Sequence, residues 1–147
     1  MSAEVPEKMT DEVTSEKMTV GYKTHMDVKI TDKMVHQFAE MSGDFNPIHL
    51  DEDYAKTTRY GRRIAHGMIA GALISRALNE KLGRGGIYLG QNLKFVNPIF
   101  IDDDVTIAME IKGIRKEKGI VMLDTLVKKT NGDICVKGEA VIIDRKS

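Results

Sequence analysis

The stretch that decides the fold is Gly67-Met-Ile-Ala-Gly-Ala-Leu-Ile-Ser-Arg-Ala-Leu-Asn-Glu-Lys-Leu82. It has the length of a helix, and Met68, Ile69, Leu73, Ile74, Leu78 and Leu82 spread over most of its circumference beside Ala70, Gly71, Ala72 and Ala77. A helix that is apolar nearly all round must be enclosed by protein. After Gly83 the chain turns to strand signals. Ile87 to Val96, Val105 to Ile114, Ile120 to Lys128 and Ile134 to Ile143 are rich in β-branched residues, with Asn131-Gly132 as a hairpin turn between the last two. Read as four consecutive hairpin-linked strands, they form an antiparallel sheet whose apolar face receives the helix. The expected class is α+β, an antiparallel sheet wrapped around a long central helix.

Working back towards the N-terminus, Tyr22, Thr24, Met26, Val28 and Ile30 alternate onto one face of a half-buried strand. Thr31 then offers an N-cap hydroxyl, and Met34, Val35, Phe38 and Met41 recur at helical spacing until Gly43 stops the run. Asp51 can cap a second helix over Glu52 to Tyr60, ended by Gly61. Between the two helices lies the non-repetitive stretch Gly43-Asp44-Phe45-Asn46-Pro47-Ile48-His49, in which Pro47 forces Asn46 out of helical geometry. The acidic residues 1–18 hold too few large apolar side chains to offset their ordering entropy and are expected to form a mobile tail, leaving residues 19–147 as one domain.

The 147 residues fit a single domain, and 22 Lys and Arg balance 22 Asp and Glu. No cationic run exceeds Arg62-Arg63, which argues against a nucleic-acid partner. The most apolar run, Met68 to Ile74, falls far short of the ~18–20 residues of a membrane span. Cys135 stands alone, so neither a disulfide nor a thiolate zinc site is available. A cysteine-poor chain whose first residues reverse the charge order of a secretory signal is expected in the cytoplasm.

Asp44 and His49 are the sharpest chemical feature, because both lie in an irregular loop rather than on an amphipathic face. A carboxylate and an imidazole a few residues apart can grip one water and move its protons. The same residues could instead cap the preceding turn and bond a nearby backbone group. His66-Gly67 opens the enclosed helix, where free N–H groups favour negative charge and glycine lets a ligand approach; equally, Gly67 could serve packing alone, with His66 capping or exposed. Ser75 could touch a ligand or bond a carbonyl one turn back. A metal reading would gather Asp44, His49, Asp51 and Asp53, but no two histidines stand at ligand spacing, and none is expected.

Phe38-Ala39-Glu40-Met41-Ser42-Gly43-Asp44-Phe45-Asn46-Pro47-Ile48-His49, followed by Ile64-Ala65-His66-Gly67-Met68, closely resembles the MaoC-like (R)-specific enoyl-CoA hydratases, and the likeness continues through Ile87-Tyr88-Leu89-Gly90-Gln91 and Phe95 to Pro98. The resemblance implies the hotdog fold, a homodimer, and reversible hydration of a trans-2-enoyl thioester to the (R)-3-hydroxyacyl product without cofactor or metal. It places the catalytic dyad on Asp44 and His49, the oxyanion-hole amide on Gly67, the motif asparagine on Asn46 and a serine near the site on Ser75; with His66 of the helix start, Asn46 and Ser75 are the expected substrate-binding residues. The substrate would be an acyl-CoA or an acyl-carrier-protein thioester. A 3-hydroxyacyl-carrier-protein dehydratase, a thioesterase on the same fold and a non-catalytic acyl-thioester binding module stand as alternatives.

Overall fold

Alternation of apolar and polar residues builds the strands that carry the core. In the computed structural model, which describes residues 18–83 and 85–144, strand β1 (Lys23–Lys29) buries Met26 and half-buries Thr24 and Val28. Strand β4 (Asp104–Arg115) buries Val105, Ile107, Met109 and Ile111, and β5 (Ile120–Lys129) buries Val121, Leu123, Thr125 and Val127. With β6 (Ile134–Ile143) and the short strands β2 (Ile87–Gln91) and β3 (Lys94–Phe95), they make one antiparallel sheet in the order β1-β4-β5-β6-β2, β3 also pairing with β6. The long helix occupies Gly67–Leu82 and lays Ile69, Ala70, Leu73, Ile74, Ala77, Leu78 and Leu82 into that sheet's apolar face. Sheet and helix form the wrapped architecture of the hotdog fold.

The helices before it are α1 (Asp32–Ser42), α2 (Pro47–Leu50) and α3 (Glu52–Lys56), so the long helix is α4. Thr31 caps α1 by accepting from the Met34 N–H at 3.2 Å, and Gly43 ends it in the left-handed conformation at φ 78°. Met41, expected on the buried stripe, is 74% exposed; the buried contact is made by Val35 and Ala39 instead. The helix expected over Glu52 to Tyr60 is shorter, because the Thr57 and Thr58 hydroxyls donate to the Tyr54 and Ala55 carbonyls and close the turn.

Two further expectations are corrected. The strand over Ile87 to Val96 breaks at Asn92, whose side chain accepts from the Glu139 N–H at 3.1 Å while its N–H donates to the Glu139 carbonyl. A side chain at Gly138 would lie 1.9 Å from the Asn92 carbonyl oxygen, so only glycine permits this crossing. Nor does that strand turn back onto the next one. Residues 96–103 carry the chain from the β6 edge across to β4, and on the way Ile64 and Phe100 form an isolated bridge while Ala65 donates to the Ile99 carbonyl at 2.8 Å. This crossing braces the segment that leads into α4. Residues 1–17 of the expected tail lie outside the described residues, and Met18 packs against the core. Finally, one chain encloses only one side of α4: Met68, Ala72, Ser75, Arg76 and Asn79 face outward.

Candidate active site

The loop after α1 is built from side chains that satisfy its own backbone. Asp44 Oδ1 accepts from the Asn46 N–H at 3.2 Å, and Asn46 Oδ1 accepts from the Ile48 N–H at 3.2 Å, capping α2 with Pro47 in its first turn. The stretch read as irregular thus contains one helical turn, and His49 rides on it. His49 is buried, and its Nδ1–H donates to the Ile64 carbonyl at 2.7 Å, since a carbonyl can only accept. Nε2 is therefore the lone-pair nitrogen of the neutral ring. Burial pushes the His49 pKa below the ordinary value, with the nearby His66 acting in the same direction while the Ile64 bond and the Asp44 charge oppose it. Arg63 fixes the turn from behind, donating to the His49 carbonyl at 2.7 Å and to Asp32 at 2.6 Å. That second contact holds the Asp32 carboxyl below the usual carboxylate range.

His66 joins this loop to α4. It lies just before the first residue of the helix and is 3% exposed, where the sequence had left it capping or solvated. It makes no capping bond; its Nε2–H donates to the Asp44 carbonyl at 2.9 Å, and its ring packs 3.9 Å from the His49 ring and 4.8 Å from that of Phe38. Gly67 follows at once, with a first-turn N–H that has no intrahelical acceptor and that no side chain caps. A Cβ on Gly67 would sit 2.7 Å from the Phe95 ring. Any larger residue here would have to displace that exposed ring.

One ligand atom each of Asp44, His49 and His66 lie within 4.8 Å of one another. Among the described residues this is the grouping a divalent ion could use; Asp51, expected in such a set, instead caps α3 through the Tyr54 N–H. Of the two histidines, His66 has its Nε2 committed to the Asp44 carbonyl, which leaves its buried Nδ1 as the atom it would offer an ion. A carboxylate and an imidazole at this separation make no direct bond, but a single water with legs of about 2.7–2.9 Å spans the gap. The uncapped start of α4 follows directly on His66, and a helix N-terminus is a place where negative charge is stabilised.

The structure brings Asp44, Asn46, His49, His66 and Gly67 together. It does not bring Ser75, which lies two turns on, about 12 Å along α4 at 1.5 Å per residue, on the wall of a separate cavity of 520 Å³ with Tyr88 and Ile142. Sequence reasoning missed the Ile64 carbonyl, Arg63 and Phe95. The first acts through its backbone and leaves no residue-type signal, and Phe95 meets Gly67 only through the fold, from 28 residues further along the chain.

Residues 13–132 match the model of the MaoC like domain family. The chain is 40% identical over 131 residues to an (R)-specific enoyl-CoA hydratase of Aeromonas caviae, covering 88% of this chain and 98% of that one. It is 35% identical to a 3-hydroxybutyryl-CoA dehydratase of Methylorubrum extorquens, over 86% and 81% of the two chains. Among solved structures, the unliganded R-hydratase of Pseudomonas aeruginosa superposes with a TM-score of 0.84 at 40% identity, over 89% of this chain and 84% of that one.

Proposed function

The chain belongs to the family of MaoC-like domains, and from that membership and the geometry of the site we propose that it hydrates trans-2-enoyl-CoA reversibly to (R)-3-hydroxyacyl-CoA. The observation that carries this reading is the placement of an exposed carboxylate and a buried imidazole within 4.8 Å of each other, near an uncapped helix start, in a chain 40% identical to an (R)-specific hydratase.

In the hydration direction, Asp44 and the His49 Nε2 orient the water and take its proton as its oxygen attacks C3. The electron pair of the C2–C3 bond moves towards the thioester carbonyl, whose oxygen gains enolate character against the Gly67 N–H. A proton delivered to C2 from the same pair completes the addition. Acid–base groups so placed typically supply about 10²–10⁴-fold, and one oxyanion donor about 10²–10³-fold. An enoyl thioester is already electrophilic at C3, so these contributions suffice without a Lewis acid. Asn46 serves the site by capping the turn that carries His49.

A spectrophotometric assay tests the reading. With an enoyl-CoA the conjugated absorbance should fall while no free thiol appears; thiol release would identify a thioesterase, and saturable binding without turnover a binding module.

The position of the acidic limb of kcat/KM follows from the burial of His49. The base must be neutral, and its pKa lies below the ordinary 6.5, so activity is lost only as pH falls through that lowered value. A limb centred above pH 6.5 would contradict the assignment of His49 as base. The same shift bears on stability: the unfolded chain takes up the proton first, so the contribution of neutral His49 is complete above about pH 6.5 and declines as pH drops towards its folded value.

The protein acts as a homodimer in this reading. One chain leaves the outward side of α4 uncovered, and Ile87 and Leu89 are exposed on the edge strand β2. An unpaired strand edge with exposed apolar side chains invites pairing with another copy. Light scattering should give twice the mass of one chain, and an active monomer would refute the assembly.

A further inference from the structure

His66 is the buried titratable group that the hydration steps leave without a task. Its two ring nitrogens are treated unequally: Nε2 is committed to the Asp44 carbonyl at 2.9 Å, while Nδ1 is buried with no partner among the described residues. Because a carbonyl can only accept, Nε2 is the nitrogen that carries the donating proton, and the space around Nδ1 offers that atom no partner. A buried polar atom left unpaired needs a reason for the residue to be there at all. Packing alone does not supply it, because an apolar ring would stack on Phe38 without stranding a lone pair.

The reason lies in what the ring connects. The water-activating groups are on the loop after α1 and on α2, whereas the oxyanion donor is on the first residue of α4, and His66 immediately precedes that residue. It reaches back across 22 residues of sequence to the backbone of Asp44 and lies against the His49 ring. We propose that His66 is a positioning residue for the hydration: its Nε2–H bond to the Asp44 carbonyl and its ring against His49 hold the acid–base loop in register with the Gly67 N–H. It touches neither the water nor the acyl thioester. The proposal rests on the hydratase reading, and it replaces the substrate-binding role expected for this residue.

Two variants separate the bond from the ring. His66→Phe keeps an aromatic ring against Phe38 and His49 but removes the donor, and His66→Gln keeps a donor at similar reach but removes the ring. A misplacement on the ångström scale can cost about 10²-fold, so His66→Phe should lose kcat by up to that factor with KM nearly unchanged, and His66→Gln should recover part of the loss. Binding of a saturated acyl-CoA, which cannot be hydrated, should be the same in both variants and the wild type. A raised KM and weakened saturated acyl-CoA binding at normal kcat would make His66 a substrate-binding residue and overturn the proposal, as would His66→Phe with kcat within twofold of wild type. Should the variants not fold, imidazole nitrogen NMR of the wild-type chain decides independently. The His66 ring should appear as the Nε2–H tautomer with a slowly exchanging proton, and an Nδ1–H tautomer would overturn the proposal. The tautomer is read without substrate, so a chain that fails to hydrate any enoyl-CoA refutes the hydratase reading separately.

Discussion

Asp44→Asn and His49→Gln should each lower kcat by roughly 10²–10⁴-fold in protein that remains folded, the range typical of positioned acid–base groups. The Asp44 exchange is close to a pure removal of charge and basicity. Asparagine keeps an oxygen to accept from the Asn46 N–H, so the turn that Asp44 closes at 3.2 Å survives. His49→Gln retains a polar group on α2 but no titratable nitrogen. Because both side chains address one water, the double variant should be little worse than the worse single one, as for residues that act as a unit. Multiplying losses would indicate independent roles. The bracing bonds that the loop does contain, from Asp44 to Asn46 and from His49 to Ile64, define the competing outcome. If bracing were their whole purpose, the variants would melt earlier while the folded fraction kept its turnover, so thermal stability and kcat measured on the same preparations distinguish the two.

Gly67→Val should abolish most turnover, and Gly67→Ala should already reduce it, because even a Cβ meets the Phe95 ring at 2.7 Å. Phe95 stands on the two-residue strand β3 and is exposed, so its ring can yield in a way that a buried neighbour could not. This allows the packing contribution to be separated from the contribution of the amide. Combining Gly67→Ala with Phe95→Ala relieves the clash; the activity that does not return then measures the obstruction of thioester approach to the helix start. Loss of one oxyanion donor is worth about 10²–10³-fold in kcat, and the double variant should stay well below the Phe95→Ala single variant. Circular dichroism guards against a folding defect from overpacking. A folded, fully active Gly67→Val would remove this amide from the mechanism.

The helix Gly67–Leu82 was legible to the residue, since its apolar side chains end abruptly at glycine on both sides. Strand β1 was legible as well, because alternation is a local property that survives whatever the strand pairs with. Pairing itself was not. Nothing in the β-branched composition of Ile87 to Val96 tells that it joins β6 rather than the next strand, a choice made by the crossing of residues 96–103 and by Asn92 at Gly138. Met41 shows the limit of periodicity: it falls on the apolar spacing of α1, yet the buried contact is made by Val35 and Ala39 with Phe38 packed beside them. At the site, Asp44, Asn46, His49 and Gly67 could be read from the loop and the resemblance, whereas the Ile64 carbonyl and the Arg63 clamp act on His49 from 15 and 14 residues away through backbone oxygens. Such contacts have no side-chain signature at one end. Ser75 lies two turns along the helix from Gly67, on the wall of a separate cavity, a displacement that follows from helical rise and not from any residue-type signal.

The central claim is that water is added at C3 of an intact thioester by Asp44 and His49, and isotopic water tests it most directly. Incubation of the protein with a short trans-2-enoyl-CoA in ¹⁸O-labelled water, followed by chiral analysis of the product, should yield the (R)-3-hydroxyacyl-CoA with the label in the C3 hydroxyl and the thioester unbroken. Label in a released carboxylate together with free coenzyme A, or an (S)-hydroxyl product, would contradict the account.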